Sequence, residues 1–428
     1  MSGLILFGVA FLLLMAGIPV AFAFGGSALF TALVDPDLGI DIFGLLPYRI
    51  YGIMQNFNLL AVPLFILMGF ILEKSKIAEN MLVSIGKLFG PIRGGLAIAI
   101  VIVGAILAAS TGIVGASVVM MTVISLPIML KYRYSPRLAT GVIAASGTLG
   151  QLIPPSIVLI ILGYMMNISV GDLFKSAVVP GLIVVILYIA YILIYTLLNP
   201  EGAPPIPRDQ PYREVLKEAV KSLIAPFLLI GLVLGSIFAG VATPTESAAV
   251  GVVGAIVLTL FYRTFSWGLL KYALRESVKI TSMIFTILIG ATAFSLVFNE
   301  SGAGDMVTQF FTSHIASKWG FVAISMAIIF ILGFFIDFIE ISFIIIPILM
   351  PIAAHYQIDP LWFAILIAIN LQTSFLTPPF GFSLFYLKGA GGDKVRTSDL
   401  YRGIIPFIFL QLLTLLLVVA FPKLVHLF

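Results

Sequence analysis

The chain has 428 residues, 61% hydrophobic and 10% charged, where a soluble domain carries about 25% charged residues. That balance describes a polytopic membrane protein and leaves no globular region of useful size. The net charge of +4 is not a nucleic-acid signal, and zero cysteines exclude disulfides, thiol catalysis and cysteine metal sites.

In chain order, residues 4–17 and 19–34 read as two short apolar segments divided at Gly17-Ile-Pro19, one tilted span being the alternative. No basic n-region precedes them, so they are not read as a cleaved signal. Residues 35–47 form a loop with Asp35, Asp37 and Asp41, and 51–72 a span. Residues 73–93 read as a basic amphipathic surface helix. The apolar run over 94–130 is interrupted by Ala108-Ala-Ser-Thr-Gly-Ile-Val-Gly115. A spanning helix needs about 20 residues, so this run is either two spans without a loop or a re-entrant hairpin with its tip in the membrane.

Next comes Ser146-Gly-Thr-Leu-Gly-Gln-Leu-Ile-Pro-Pro-Ser156, inside an apolar segment. Pro154 and Pro155 remove two backbone donors, and Gly147 and Gly150 weaken the helix before them. The spacing predicts a helix that enters, unwinds and restarts near Pro155. Backbone groups freed in lipid must be re-satisfied in a protein-lined or watery site. A span over 173–198 follows, then a Pro-rich polar linker.

The second half repeats this order. Spans are expected at 223–241 and 245–262, a basic amphipathic stretch at 263–279, a span at 280–298 and a polar surface segment at 299–318. A second hairpin candidate covers 320–354, with its tip near Gly333–Glu340. A second broken segment, carrying Pro378 and Pro379, covers 361–387, and the last span is 400–421. Pro19 pairs with Pro244, Gly26 with Gly251 and Gly95 with Gly320 at an offset of 225; Pro154 pairs with Pro378 at 224. The expected division is a first repeat over 1–198, a cytoplasmic linker over 199–221 and a second repeat over 222–428.

All 23 Lys and Arg residues except Arg49, Lys175, Lys318 and Lys423 fall on one face, which should be cytoplasmic. The segments alternate consistently only if both hairpin candidates are re-entrant. Each half then holds five crossings and one hairpin, the halves are inverted, and both termini are periplasmic. Paired broken segments in inverted halves point to a transporter binding site. The expected fold is an all-α polytopic membrane protein with an inverted-topology repeat, two re-entrant helical hairpins and two broken helices.

A hairpin followed by a helix broken at Pro-Pro, duplicated with inversion, resembles the large membrane subunit of TRAP transporters, the DctM-type family. The resemblance rests on Ala109-Ser-Thr-Gly-Ile-Val-Gly-Ala-Ser117, Gly150-Gln-Leu-Ile-Pro-Pro-Ser156, Thr243-Pro-Thr-Glu246 and Leu376-Thr-Pro-Pro-Phe-Gly381. It runs the whole length and is similar to sialic-acid members, while dicarboxylate members share the same motifs. It implies Na⁺-driven import of an organic carboxylate, by elevator-type movement, in a bacterial inner membrane. It also implies two partners: a small four-helix membrane subunit, here a separate chain, and a periplasmic substrate-binding protein.

Within that expectation, Ser110, Thr111, Gly112 and Gly115 at the first hairpin tip, with the carbonyls of Gly147, Gly150 and Leu152 opposite, suit a hard cation's need for oxygen ligands. The plain alternative is a tightly packed turn. Gly333, Asp337, Thr373 and Thr377 border a possible second Na⁺ site, with Glu340 a weaker candidate; an intramembrane carboxylate is a functional hypothesis by default. Ser146 and Asn370, and more weakly Gln151 and Gln372, are candidate substrate contacts, against interhelical hydrogen bonding. Arg137 is read as a positive-inside anchor, an anion contact near the cytoplasmic exit being the alternative. Glu246 is assigned to structure or assembly. No nucleophile–base arrangement, phosphate loop or metal-spaced histidine occurs, which argues against an enzyme. The rival readings are a stand-alone ion antiporter of related architecture and an intramembrane enzyme built on Asp337 and Glu340.

Overall fold

The computed structural model describes residues 2–111, 114–207, 210–315 and 317–427, with only the helical backbone over 108–111. Every regular element among them is helical. Helices α1 (Ser2–Met15) and α2 (Val20–Val34) form a short apolar pair rather than one tilted span. Gly17 turns the chain between them at φ +78, a backbone state that costs glycine no Cβ clash. A short α3 (Leu46–Met54) precedes the span α4 (Ala61–Lys74) and the surface helix α5 (Ile77–Phe89). Helices α6 (Gly95–Thr111) and α7 (Val114–Lys131) make the first hairpin. Its two ends meet where the Leu96 amide donates to the Tyr134 hydroxyl at 3.3 Å.

The first broken segment is α8 (Pro136–Gly147), a 3₁₀ turn (Leu149–Gln151) and α9 (Ile157–Met165); α10 (Val170–Leu198) closes the half. The second half runs through α11 (Tyr212–Phe238), α12 (Pro244–Phe261), α13 (Trp267–Glu300) and α14 (Ala303–His314). The linker is therefore already helical from Tyr212. The second hairpin is α15 (Lys318–Leu332) with α16 (Phe338–His355), its ends joined by the Phe321 and Tyr356 rings 5.5 Å apart. Helices α17 (Pro360–Leu376) and α18 (Phe382–Gly391) form the second broken segment, and α19 (Thr397–Ala420) ends the bundle. Eight described helices are long and apolar enough to cross a membrane by length and composition. The 17 residues of α6 and the 15 of α15 rise only about 26 and 22 Å, short of a hydrocarbon core of about 30 Å.

Two expectations are corrected. Residues 51–72 are not one span, because α3 ends at Met54 and α4 begins at Ala61. The basic stretch at 263–279 and the span after it are not separate elements, because α13 runs unbroken for 34 residues. Neither glycine nor proline occurs between Leu269 and Ile289 to end it. The first half breaks the same path at Asn56, whose side chain caps the next turn.

Elements recur in order at an offset of 224. The starts of α2, α7 and α8 at Val20, Val114 and Pro136 match those of α12, α16 and α17 at Pro244, Phe338 and Pro360. One hydrogen bond joins repeat mates directly, and a second joins the last helices of the two halves, α10 and α19. Gln372 Nε2 donates to Thr148 Oγ1 at 3.4 Å across 224 residues, and Gln411 Nε2 donates to Tyr188 Oη at 2.7 Å across 223. A residue that touches its own mate lies near the axis relating the halves. Helices α8 and α17 are buried on all sides over most of their length, as expected of helices with no polar face, and form the centre.

One end of the molecule gathers the basic residues. The Gly94 amide donates to Ala203 O at 3.0 Å, and the Ser135 amide to Gly202 O at 2.8 Å. Lys87 pairs with Glu218 and Arg137 with Asp399. At the other end the Ser2 hydroxyl donates to Asp35, and His426 pairs with Asp359 at 2.6 Å.

Candidate transport site

Each broken segment frees backbone carbonyls, and a hydroxyl from beyond the break takes one up. Ser156, the N-cap of α9, donates to Gln151 O at 2.7 Å and accepts from the Leu159 amide. Ser383, in the first turn of α18, donates to Phe375 O at 2.9 Å. The prolines lie in these breaks, at Pro154-Pro155 and Pro378-Pro379. The first pair is buried, whereas Pro379 and Phe380 of the second are exposed.

Ser146 and Gln151 flank the first break and are fully buried. The Ser146 hydroxyl and both polar atoms of the Gln151 side chain have no hydrogen-bond partner among the described residues. Such groups cost roughly 1–3 kcal/mol each when left unpaired, so a polar ligand or water is the natural complement. Gly104 of α6 faces Ser146 so closely that a Cβ there would lie 2.7 Å from Ser146 Cβ. Asn370, the mate of Ser146, is engaged in the second half, as is Gln372, the mate of Thr148. Asn370 donates to Met326 O of α15 at 2.7 Å, and Gln372 reaches Thr148.

The hairpin tips meet the breaks. Gly115 abuts the Tyr386 ring of α18 at 3.0 Å from a notional Cβ, and Gly147 meets Val118 of α7 at 2.3 Å. Gly333 meets Ser374 of α17, where a Cβ would stand 2.2 Å from the hydroxyl oxygen. Gly150 and Leu152 are buried in the turn itself. Gly112 lies outside the described residues, as do the side chains of Ser110 and Thr111.

Thr373 is fully buried and donates to Ile369 O at 2.8 Å; Thr377 donates to Thr373 O at 2.8 Å. Their protons are thus used and their lone pairs remain, which suits cation coordination. Asp337 is the N-cap of α16 and accepts from the Phe338 amide at 2.6 Å. Glu340, one turn on, is 6% exposed, with Oε2 unpartnered among the described residues. It is the only buried charged side chain among the described residues, so no buried cationic side chain stands ready to meet an anion. Glu246 completes a capping box with Thr243, a structural role.

Sequence reasoning missed Thr148, Ser374 and Tyr386. The repeat offset itself would have flagged Thr148, since it is the counterpart of Gln372. No comparable signal marks Tyr386, which meets Gly115 only through folding.

Two clefts are counterparts. Phe298, Asn299, Ile344 and Ile348, between α13 and α16, line a gap of about 10 Å³. The mates of Phe298, Ile344 and Ile348 at the repeat offset, Lys74, Met120 and Ile124, line with Glu73, Val119, Val123 and the start of α13 an open cleft of about 610 Å³ at the basic end.

Residues 7–424 match the family model of the tripartite ATP-independent periplasmic transporter, DctM component. The chain is 32% identical over 378 residues to the C4-dicarboxylate TRAP transporter large permease protein DctM of Pseudomonas aeruginosa, covering 88% of this chain and 87% of that one. It is 30% identical over 414 residues to the sialic acid TRAP transporter large permease protein SiaM of Vibrio cholerae, covering 96% and 94%. The fold is similar to the Alcanivorax borkumensis YdaH transporter, described as having an unusual topology, at a TM-score of 0.61 and 16% identity over 99% of both chains. With its hairpins, broken helices and full-length match, the chain belongs to the DctM family of TRAP transporter large permeases, a transport subunit and not an enzyme.

Proposed function

We propose that the chain carries an organic carboxylate across a bacterial inner membrane, coupled to Na⁺, and receives it from a periplasmic substrate-binding protein with a small four-helix subunit as membrane partner. The observation that carries this reading is the pair of orphaned, fully buried polar groups at the first break, Ser146 and Gln151. Hydroxyl and amide donors bind a carboxylate but leave its charge uncompensated. With no basic side chain buried among the described residues, a co-bound cation offsets that charge. The sequence supplies oxygen ligands for it: Ser110, Thr111, Gly112, Gly115 and the Gly147, Gly150 and Leu152 carbonyls for one ion, and Gly333, Asp337, Thr373 and Thr377 for another. The open and closed counterpart clefts support elevator-type movement of hairpins and broken helices past α4 and α13. Sialic acid is the first substrate to test and a C4-dicarboxylate the second, because relatives named for each match this chain.

The test is uptake of labelled sialic acid and succinate into proteoliposomes holding this chain and the small subunit, with binding protein present or absent and Na⁺ present or replaced by K⁺. Uptake of one compound that needs both Na⁺ and binding protein is expected. Equal uptake in K⁺ overturns the coupling. Uptake without the binding protein favours a stand-alone carrier.

A further inference from the structure

A second polar site lies at the basic end, away from the hairpins. It is a cavity of about 300 Å³ between the start of α8, the end of α10 and the start of α19. Its lining includes Arg137 and Arg402, with Ser135, Tyr191, Tyr195 and Asn199. Arg137 reaches Asp399 through Nε at 3.4 Å, which leaves its terminal nitrogens for another acceptor. Arg402 has no ion pair among the described residues. One carboxylate against two guanidinium groups leaves a net positive charge. Ser135 occupies the N-cap of α8 without capping it by its side chain, so first-turn amides of this 12-residue helix also favour an anion.

The setting narrows the ligand. Tyr191 and Tyr195 lie four residues apart on the last turns of α10, an apolar helix of spanning length, and Asn199 caps its end. Tyrosines gather where a span leaves the bilayer. A basic pocket between helices at that depth meets lipid headgroups, and forked guanidinium groups match phosphate oxygens. We propose that this cavity binds a phosphate group, supplied by the headgroup of an anionic phospholipid, through Arg402, the free edge of Arg137 and the tyrosine hydroxyls. Bound there, the headgroup ties α8 and α10 of the first half to α19 of the second.

The test uses purified full-length chain, delipidated and then mixed with phosphatidylglycerol, phosphatidylcholine or inorganic phosphate. Lipid retention is read by native mass spectrometry and stability by thermal unfolding. Wild type should retain phosphatidylglycerol over phosphatidylcholine, and Arg402→Gln should weaken that retention about fivefold, the worth of one basic residue near the membrane surface. Arg402→Lys should recover part of it. Asn199→Asp, which adds a negative charge at the rim, should weaken retention as well and serves if Arg402→Gln fails to fold. Stabilisation by inorganic phosphate that Arg402→Gln abolishes, with equal lipid retention in both proteins, would make a free phosphate the ligand and overturn the lipid assignment. Equal binding of lipid and of phosphate by wild type and both charge variants overturns the site.

Discussion

Gln151 separates a binding role from a packing role more sharply than any other residue. Its side chain is fully buried with both polar atoms unpaired among the described residues. Replacing it with leucine removes a desolvation cost of about 1–3 kcal/mol at similar volume. Gln151→Leu should therefore unfold at the same or a higher temperature while uptake falls at least about tenfold. A variant that loses both stability and uptake in step would assign Gln151 to structure. Thr373→Ala deletes one candidate oxygen ligand and should raise the Na⁺ concentration needed for half-maximal uptake about two- to tenfold; unchanged Na⁺ dependence rejects that hydroxyl as a ligand. The candidate residues were legible in the sequence as polar side chains in apolar segments, but their division of labour was not. Ser146 and Asn370 occupy equivalent positions, yet Asn370 is held by Met326 O and Ser146 has no partner among the described residues. Sequence gives the depth of a side chain in a helix; the neighbour it faces is set by tertiary packing.

The broken helices were readable because glycine and proline act locally on the backbone. Both breaks fall at Pro154-Pro155 and Pro378-Pro379. The 3₁₀ turn at Leu149–Gln151 and the hydroxyls of Ser156 and Ser383 show how the freed carbonyls are met. Alanine at Pro154 and Pro155 together restores two donors and favours a continuous helix, since proline in a helix interior costs about 3 kcal/mol relative to alanine. The double variant should insert and fold but take up substrate poorly, and the same change at Pro378 and Pro379 should act alike. Wild-type uptake and Na⁺ affinity in both would reduce the prolines to kinks. Close approach at the tips was less readable, because a glycine can serve flexibility or contact. Gly104 serves contact: a Cβ would sit 2.7 Å from Ser146 Cβ and 3.0 Å from Ser146 O. Gly104→Ala must push the first hairpin from α8, at a cost of about 1–3 kcal/mol for overpacking. A lowered unfolding temperature with reduced uptake is expected. The continuity of α13 was missed because a basic stretch looked like a separate surface helix, whereas charge on one face does not end a helix that lacks a breaker.

At the scale of the whole molecule, the repeat was legible as an offset, but the difference between its halves was not, since identical spacing says nothing about which half is open. The difference lies in the counterpart clefts. Between α13 and α16 the gap is about 10 Å³, with Ile344 5% exposed. Between α4 and α7 the cleft is about 610 Å³, with Val123 59% exposed. Two halves of like architecture can exchange conformations at small net energetic cost, because the packing that opens in one half is replaced by equivalent packing that closes in the other. Exchange would close α4 on α7 at the basic end and open α13 from α16 at the other. The absence of native cysteines makes this directly measurable. Cysteines at Asn299 and Ile348 should cross-link readily in the arrangement described, and cysteines across the other cleft, at Lys74 and Val123, should not. Conditions that favour the opposite arrangement should reverse the pattern, and locking either pair should stop uptake until the cross-link is reduced. The side of the membrane is fixed independently by a cysteine at the exposed Glu201, which a membrane-impermeant reagent should fail to reach in intact cells if the basic end is cytoplasmic. Cross-linking of Lys74 with Val123 and of Asn299 with Ile348 in one and the same population, with uptake intact in both locked proteins, would mean that the clefts do not alternate, and the elevator reading would fall.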